Sequence, residues 1–255
     1  MECRILYLYD DLMNLYGESG NIRVLTRHLE DQGFTVAVDR QTLGDSLRLS
    51  GYTLIYLGSG TESARNAALS HLAPYRGDLR EAVKQGTILL FTGNAWEMLG
   101  ASITTGDGEM LPGLGLFPFT VTESGEKRVT GDVIADCAFL AHPLVGFINK
   151  CSEAHGVETP LFQYRMGEGN EPGDPAEGIH SGTVYGTHLT GPVLVRNPHF
   201  MRYLIEQIGS RCREPSETGD PSAADAAWSY RPVDYPYEQR AYEITLSELT
   251  KRIEP

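Results

Sequence analysis

Leu89-Leu90-Phe91-Thr92-Gly93-Asn94-Ala95-Trp96-Glu97-Met98-Leu99-Gly100 is the stretch from which the rest of the chain is read. A run of β formers at residues 87–91 enters a small-residue turn at 93–95 and leaves as an apolar segment that reads as helix. Strand, sharp turn and helix in that order is the layout that lifts a nucleophile above the end of a parallel sheet. The residue at the tip is Gly93, which carries no nucleophile.

Toward the N-terminus, residues 4–9 read as a short buried strand and 21–32 as an amphipathic helix with Ile22, Leu25 and Leu29 on one face, closed by Gly33. The loop between them, residues 10–21, lies past the end of a strand, where open α/β sheets place their sites, although its spacing fits a helix-capping connection equally well. Residues 34–38 and 53–57 give two further strands, the second running into Gly58-Ser59-Gly60. A glycine-rich strand end of this kind leaves backbone N–H groups free for an anion or a developing oxyanion. Helices at 64–72 and 79–84 precede the strand at 87–91. The alternation predicts an α/β domain with a mostly parallel, doubly wound central sheet and flanking helices.

Past Gly100 the pattern changes to Gly, Thr and Pro punctuation and shorter strands at 119–122 and 128–134. The run Gly146-Phe147-Ile148-Asn149-Lys150 and a Gly-, acid- and Pro-rich stretch to Glu177 follow, which predicts an antiparallel, loop-rich extension in the middle of the chain. Residues 178–185 read as one strand, 186–192 as a tight turn, and 198–208 as a helix with Asn197 at the N-cap and Pro198 in the first turn. Residues 214–226 are rich in Pro, Ser, Asp and Gly and read as a linker, leaving a tail whose Tyr242, Ile244, Leu246, Leu249 and Ile253 can form an amphipathic helix. The expected organisation is a domain over 1–210 and a linker with a C-terminal arm over 211–255, lying against the body or a partner.

With 255 residues, of which 41% are hydrophobic, the chain can bury a full core. Its net charge of -13 and lack of a basic cluster argue against a nucleic-acid partner. No run approaches the roughly 20 apolar residues of a membrane span, and the N-terminus has no signal-like pattern, so the expected location is the cytoplasm. Cys3, Cys137, Cys151 and Cys212 lack metal-binding spacing and read as reduced, partly buried thiols. Nothing in the sequence calls for a metal or a cofactor.

Several segments together resemble the class I glutamine amidotransferases of the CobB/CobQ type, in particular their GatD-like branch. They are the loop from Leu8 to Asn21, the Gly58-Ser59-Gly60 turn, the run ending Met98-Leu99-Gly100, and Gly113-Leu114-Gly115-Leu116. Further along come Arg128 ahead of Gly131-Asp132, then Gly146-Phe147 with Asn149, Gly167 to Asn170, and Gly186-Thr187-His188-Leu189-Thr190-Gly191-Pro192-Val193-Leu194 ahead of Asn197-Pro198. The resemblance covers residues 4 to about 208 and implies the flavodoxin-like amidotransferase fold.

It also implies an activity. Such proteins hydrolyse glutamine with a cysteine at the tip, a histidine in the late turn and a glycine-rich oxyanion loop, and pass ammonia to a ligase. An amide carbon needs a thiolate made by a nearby base, and donors aimed at the tetrahedral oxygen. Here the family's Cys-Gly-Gly-Tyr-Gln run corresponds to Gly93-Asn94-Ala95-Trp96-Glu97, and its Tyr-Leu-His-Gly-Pro turn to His188-Leu189-Thr190-Gly191-Pro192. Nucleophile and base are therefore replaced by Gly93 and Thr190, and the family's Gly-Phe-Glu-Asn-His run is altered to Gly146-Phe147-Ile148-Asn149-Lys150.

The expectation is a pseudo-glutaminase that serves as non-catalytic or ligand-binding subunit of a MurT-like Mur ligase in peptidoglycan precursor amidation. Candidate ligand-binding residues are Gly58, Ser59, Gly60, Asn94, Arg128, which matches the branch's glutamine-binding arginine, and His188. Glutamine or another small amino acid is the candidate ligand, and the ligase would then draw on free ammonia or the subunit would sense glutamine. Two alternatives stand beside this: an active glutaminase whose groups come from residues such as Thr92 or His188, and a free-standing small-molecule binding protein.

Overall fold

Three apolar runs from the first half of the chain become the middle of one sheet. The computed structural model describes residues 1–125, 128–212 and 228–253; the predicted linker at 214–226 lies outside the described residues. The first half comprises β1 (Glu2–Leu8), α1 (Ser19–Asp31), β2 (Thr35–Gln41), β3 (Leu54–Leu57), α2 (Glu62–Leu72), α3 (Arg76–Lys84) and β4 (Ile88–Thr92). Then come β5 (Ser102–Thr104), β6 (Met110–Pro112), β7 (Thr120–Glu123), β8 (Val129–Asp136), β9 (Leu144–Lys150), β10 (Ser152–His155), β11 (Phe162–Met166) and β12 (Ala176–Glu177). The chain closes with β13 (Ile179–Ser181), β14 (Val184–Thr187), β15 (Leu189–Thr190), α4 (Val193–Arg196), α5 (Pro198–Arg211) and α6 (Pro236–Thr250).

The main sheet has the order β13-β14-β4-β3-β1-β2. All its neighbours are parallel except the edge pair β13–β14. Both central strands, β3 and β4, are buried at every residue, as a parallel sheet covered on two faces requires. Alternate side chains serve the two faces. Tyr56 and Leu90 pack with Leu25 and Leu29 of α1 and Leu204 of α5, while Ile55 and Leu89 pack with Ala68 of α2 and Leu79 of α3.

Two smaller sheets form the extension, ordered β10-β7-β5-β6 and β12-β11-β8-β9-β15. Helix α6 lies on the second of them: Tyr242 and Leu249 are buried against Ile134 and Val145, with Leu246 partly buried beside them. Ile244 and Ile253, expected on the same buried face, are exposed instead. Tyr242, Leu246 and Leu249, at i, i+4 and i+7, make the buried stripe, whereas Ile244 lies off that face and Ile253 falls past the end of the helix. No described helix is long and apolar enough to cross a membrane.

Local differences from the predicted elements have physical causes. After β4 the chain makes a 3₁₀ turn over Gly93–Leu99 rather than an α-helix; Ala95, Trp96, Met98 and Leu99 are all buried, so the segment has no solvent face and fits the tighter winding. The strand predicted at 178–185 is a hairpin, with Ser181 paired to Val184 around Gly182, whose φ of 59° suits a two-residue connection. The predicted tight turn at 186–192 carries the end of β14 and all of β15, and the chain reverses only at Gly191, φ 63°. Asn197 does stand before Pro198 at the start of α5, but its amide does not cap that helix; it donates instead to Val193 O of α4 at 2.8 Å. It bridges to β9, accepting from Val145 N at 2.8 Å and donating to Val145 O at 2.9 Å.

Candidate functional site

The ends of β3 and β4, both pointing the same way, open onto a cavity of about 180 Å³. Ser59 and Gly60 follow β3 into its wall, Asn94 and Glu97 follow β4, and Thr61, Glu62 and Arg65 come from the start of α2. The extension supplies Arg128 from before β8, Asn149 and Lys150 from the end of β9, and Cys151; Leu15 and Tyr16 close the rim. Of the candidate ligand-binding residues, Ser59, Gly60, Asn94 and Arg128 thus share one cavity.

Gly58 and His188 do not line it. Gly58 is a packing position, where an added Cβ would stand 2.7 Å from both Glu18 Cβ and Met13 O. His188 is buried behind the wall, its Nε2 3.1 Å from Glu97 Oε1 and its Nδ1 3.5 Å from Glu177 Oε1. Glu97 holds the ring through Nε2, and Glu177 accepts from the His188 backbone N–H at 2.6 Å, while Nδ1 has no hydrogen-bond partner among the described residues.

The tip of the elbow has room for nothing larger than hydrogen. Gly93 has φ 59°, a conformation that side chains resist. A Cβ placed there would overlap the side chain of Ser59 and lie 3.0 Å from Ser59 Cα. One residue earlier, Thr92 is fully buried and its hydroxyl donates to Glu18 Oε2 at 2.6 Å, away from the cavity. Thr190 is buried too, and its hydroxyl donates to Phe147 O at 3.3 Å.

The glycine loop is not a set of free donors, contrary to the expectation from its composition. Gly60 N donates to Asn94 Oδ1 at 3.0 Å, and Asn94 Nδ2 donates to Gly60 O at 2.9 Å. This two-point clasp exists because the position after the tip carries a carboxamide. Arg128 is also occupied: Nη2 donates to Glu62 Oε1 at 2.6 Å, and Nη1 to Asn149 Oδ1 at 3.1 Å. Cys151 donates its thiol proton to the same Glu62 oxygen at 3.2 Å.

In the wall and just behind it sits a set of charges, several of them buried. Arg65, 1% exposed, bridges Glu97 and Glu123. Burial alone would raise the Glu97 carboxyl, but the Arg65 guanidinium and His188 outweigh it and hold it down to about 2. Glu18 is the opposite case, because its burial outweighs hydrogen bonds from Thr92, Tyr56, Gly191 and Asn21 and raises it. Burial lowers Lys150, whose ammonium donates to Gly169 O. Glu62 is lowered despite its partial burial by the hydrogen bond from Arg128. The Cys151 thiol is pushed up to about 12, by burial and then by Glu62. A thiol so placed stays protonated near neutral pH and is a poor nucleophile. No group of His, Cys, Asp and Glu among the described residues is arranged to hold a metal.

Residue reading singled out no role for Glu62, Arg65 and Cys151. Glu62 and Arg65 lie on a helix whose pattern signals only packing, and their partners Arg128 and Glu123 are 66 and 58 residues away. Glu97, Asn149 and Lys150 do fall inside runs quoted from the sequence, which is the one signal that pointed to them.

Comparison with known proteins follows from this geometry. A model of the CobB/CobQ-like glutamine amidotransferase domain matches residues 4–198. The chain is 30% identical over 216 residues to the GatD subunit of lipid II isoglutaminyl synthase (glutamine-hydrolyzing) from Staphylococcus aureus strain N315, covering 85% of this chain and 88% of that protein. It is 26% identical over 206 residues to the corresponding subunit from Streptococcus pneumoniae strain ATCC BAA-255 / R6, covering 80% and 79% of the two. Among solved structures, a crystal structure of a glutamine amidotransferase superposes with a TM-score of 0.55 at 17% identity, covering 80% of this chain and 98% of the other, a likeness of fold.

Proposed function

Because the chain belongs to the CobB/CobQ-like glutamine amidotransferase family, we propose that it is a pseudo-glutaminase, a non-catalytic subunit of a MurT-like Mur ligase that amidates a peptidoglycan precursor in the cytoplasm. The likeness to two lipid II isoglutaminyl synthase subunits supports the pathway and the ligase partner. In this reading residues 1–210 form the amidotransferase-like body, 211–255 the linker and arm, and the ligase takes ammonia from solution.

One observation carries the loss of chemistry: the tip position is a glycine at φ 59° pressed against Ser59, with no side chain that could attack an amide carbon. Neither Thr190, at the family's base position, nor His188 faces the cavity: the Thr190 hydroxyl bonds to Phe147 O, and His188 is buried against Glu97. Losing a triad nucleophile costs on the order of a million-fold in turnover. Purified protein with its ligase partner is expected to release no glutamate from glutamine above background. Turnover that disappears in Thr92→Ala or His188→Ala would overturn the proposal.

A second reading, an active glutaminase, draws on Cys151, the one thiol lining the cavity among the described residues. Its proton goes to Glu62, whose carboxyl is itself held low by Arg128 and so makes a weak base. Covalent labelling of Cys151 by a diazo-ketone glutamine analogue at neutral pH would favour this second reading; an unlabelled protein favours the first.

A further inference from the structure

Beside an acceptor for its α-ammonium, an amino acid with a terminal carboxamide asks two things of a pocket: a cation for its α-carboxylate, and a donor and acceptor pair for its amide. The cavity past β3 and β4 offers both. Arg128 supplies the guanidinium, half-exposed and reachable, and Gly60 presents N–H and C=O together.

Each is already taken by a group of the matching kind from the same chain. The carboxylate on Arg128 is that of Glu62, at 2.6 Å, and the carboxamide on Gly60 is that of Asn94, at 3.0 and 2.9 Å. Both side chains line the cavity. The two come from separate elements, Glu62 opening α2 and Asn94 following β4, so neither occupation is a by-product of the other.

We propose that Glu62 and Asn94 act as a built-in substitute for glutamine, filling the carboxylate and carboxamide positions of the cavity and so excluding the free amino acid. The inference rests on the reading of this cavity as a former glutaminase pocket, and it explains how such a pocket persists without trapping an abundant metabolite. Flexible tethering alone gives an effective concentration in the millimolar range, and side chains fixed on α2 and on the turn after β4 compete at a higher one because their placement is already set. Binding is therefore weakened by the fraction of molecules in which the internal groups have let go.

The test is equilibrium binding of L-glutamine to the full-length protein, by calorimetry and ligand-observed NMR, in wild type, Glu62→Ala, Asn94→Gly and the double variant. Folding of each is checked by its melting temperature, and Glu62→Gln, which keeps the shape and removes the charge, replaces any Glu62→Ala protein that does not fold. The double variant is expected to bind glutamine at least about tenfold more tightly than wild type. Glu62→Ala alone is expected to gain equally for L-glutamine and L-norvaline, which share the α-carboxylate, and Asn94→Gly to gain for glutamine only. A folded double variant that binds within tenfold of wild type overturns the proposal. Glutamate release by the wild-type complex is scored separately and bears on the pseudo-glutaminase reading; absent turnover with no gain in binding sinks only the internal substitute.

Discussion

Placing a cysteine at Gly93 is expected to damage the fold, and the size of the damage follows from two contributions. A side chain at φ 59° costs roughly 1–2 kcal/mol, because Cβ crowds the neighbouring carbonyl in the left-handed region. Overlap with Ser59, which is 3% exposed and has little room to move, adds about 1–3 kcal/mol, the usual range for overpacking a dense interior. Gly93→Cys therefore loses about 2–5 kcal/mol from a total stability on the order of 5–15 kcal/mol. Ser59→Gly alone costs under about 1 kcal/mol, from added freedom in the unfolded chain. With the clash gone, the double variant recovers about 1–3 kcal/mol relative to the sum of the singles. Urea unfolding measures all four corners of the cycle, and Trp96, buried in the same turn, reports through its fluorescence. A Gly93→Cys protein within about 0.5 kcal/mol of wild type, or strictly additive singles, would refute the interlock of Ser59 and Gly93.

Glu97→Gln leaves buried Arg65 with Glu123 alone and is expected to cost about 3–5 kcal/mol at neutral pH. Since Glu97 is held at about 2 against an ordinary 4.5, its contribution is complete above 4.5 and is lost as pH falls toward 2. Unfolding free energy measured across that window slopes in wild type and flattens in Glu97→Gln. Among the thiols, iodoacetamide near neutral pH should modify Cys212, drawn down to about 7 by its hydrogen bond with Cys3, well before Cys151, pushed up to about 12; peptide mapping that finds Cys151 first would contradict the burial of that thiol. Leu249→Ala opens the small cluster under α6 and should cost about 2–3 kcal/mol, read as a lowered melting temperature. A neutral outcome there would mean that α6 adds no stability to β8 and β9.

The parallel sheet is legible because its strands are short, apolar and ended by glycine: β3 stops at Leu57 before Gly58, and β4 is Ile-Leu-Leu-Phe-Thr running to Gly93. What escaped was of two kinds. Around Gly182 and over Gly93–Leu99, one small residue inside an apolar run changes the backbone without changing the periodicity, so a hairpin passes for one strand and a 3₁₀ turn for a helix. At the cavity, the decisive contacts join residues far apart in the chain, Asn94 with Gly60 and Glu62 with Arg128. Composition announced a loop with open donors; only the folded chain brings in the side chains that close it. That the tip after β4 bears no side chain, by contrast, is plain from the sequence, since Gly93 is a glycine in any conformation.

Arg65 has a bearing on what holds the cleft in shape. It ties α2 to the turn after β4 and, through Glu123, to the neighbouring sheet. Remove it and two carboxylates are stranded in the interior whether or not a substrate ever visits. The electrostatic skeleton of the cleft is thus maintained by the demands of folding, and a charged, well-formed hollow in this lineage of scaffolds is no testimony that anything is transformed inside it.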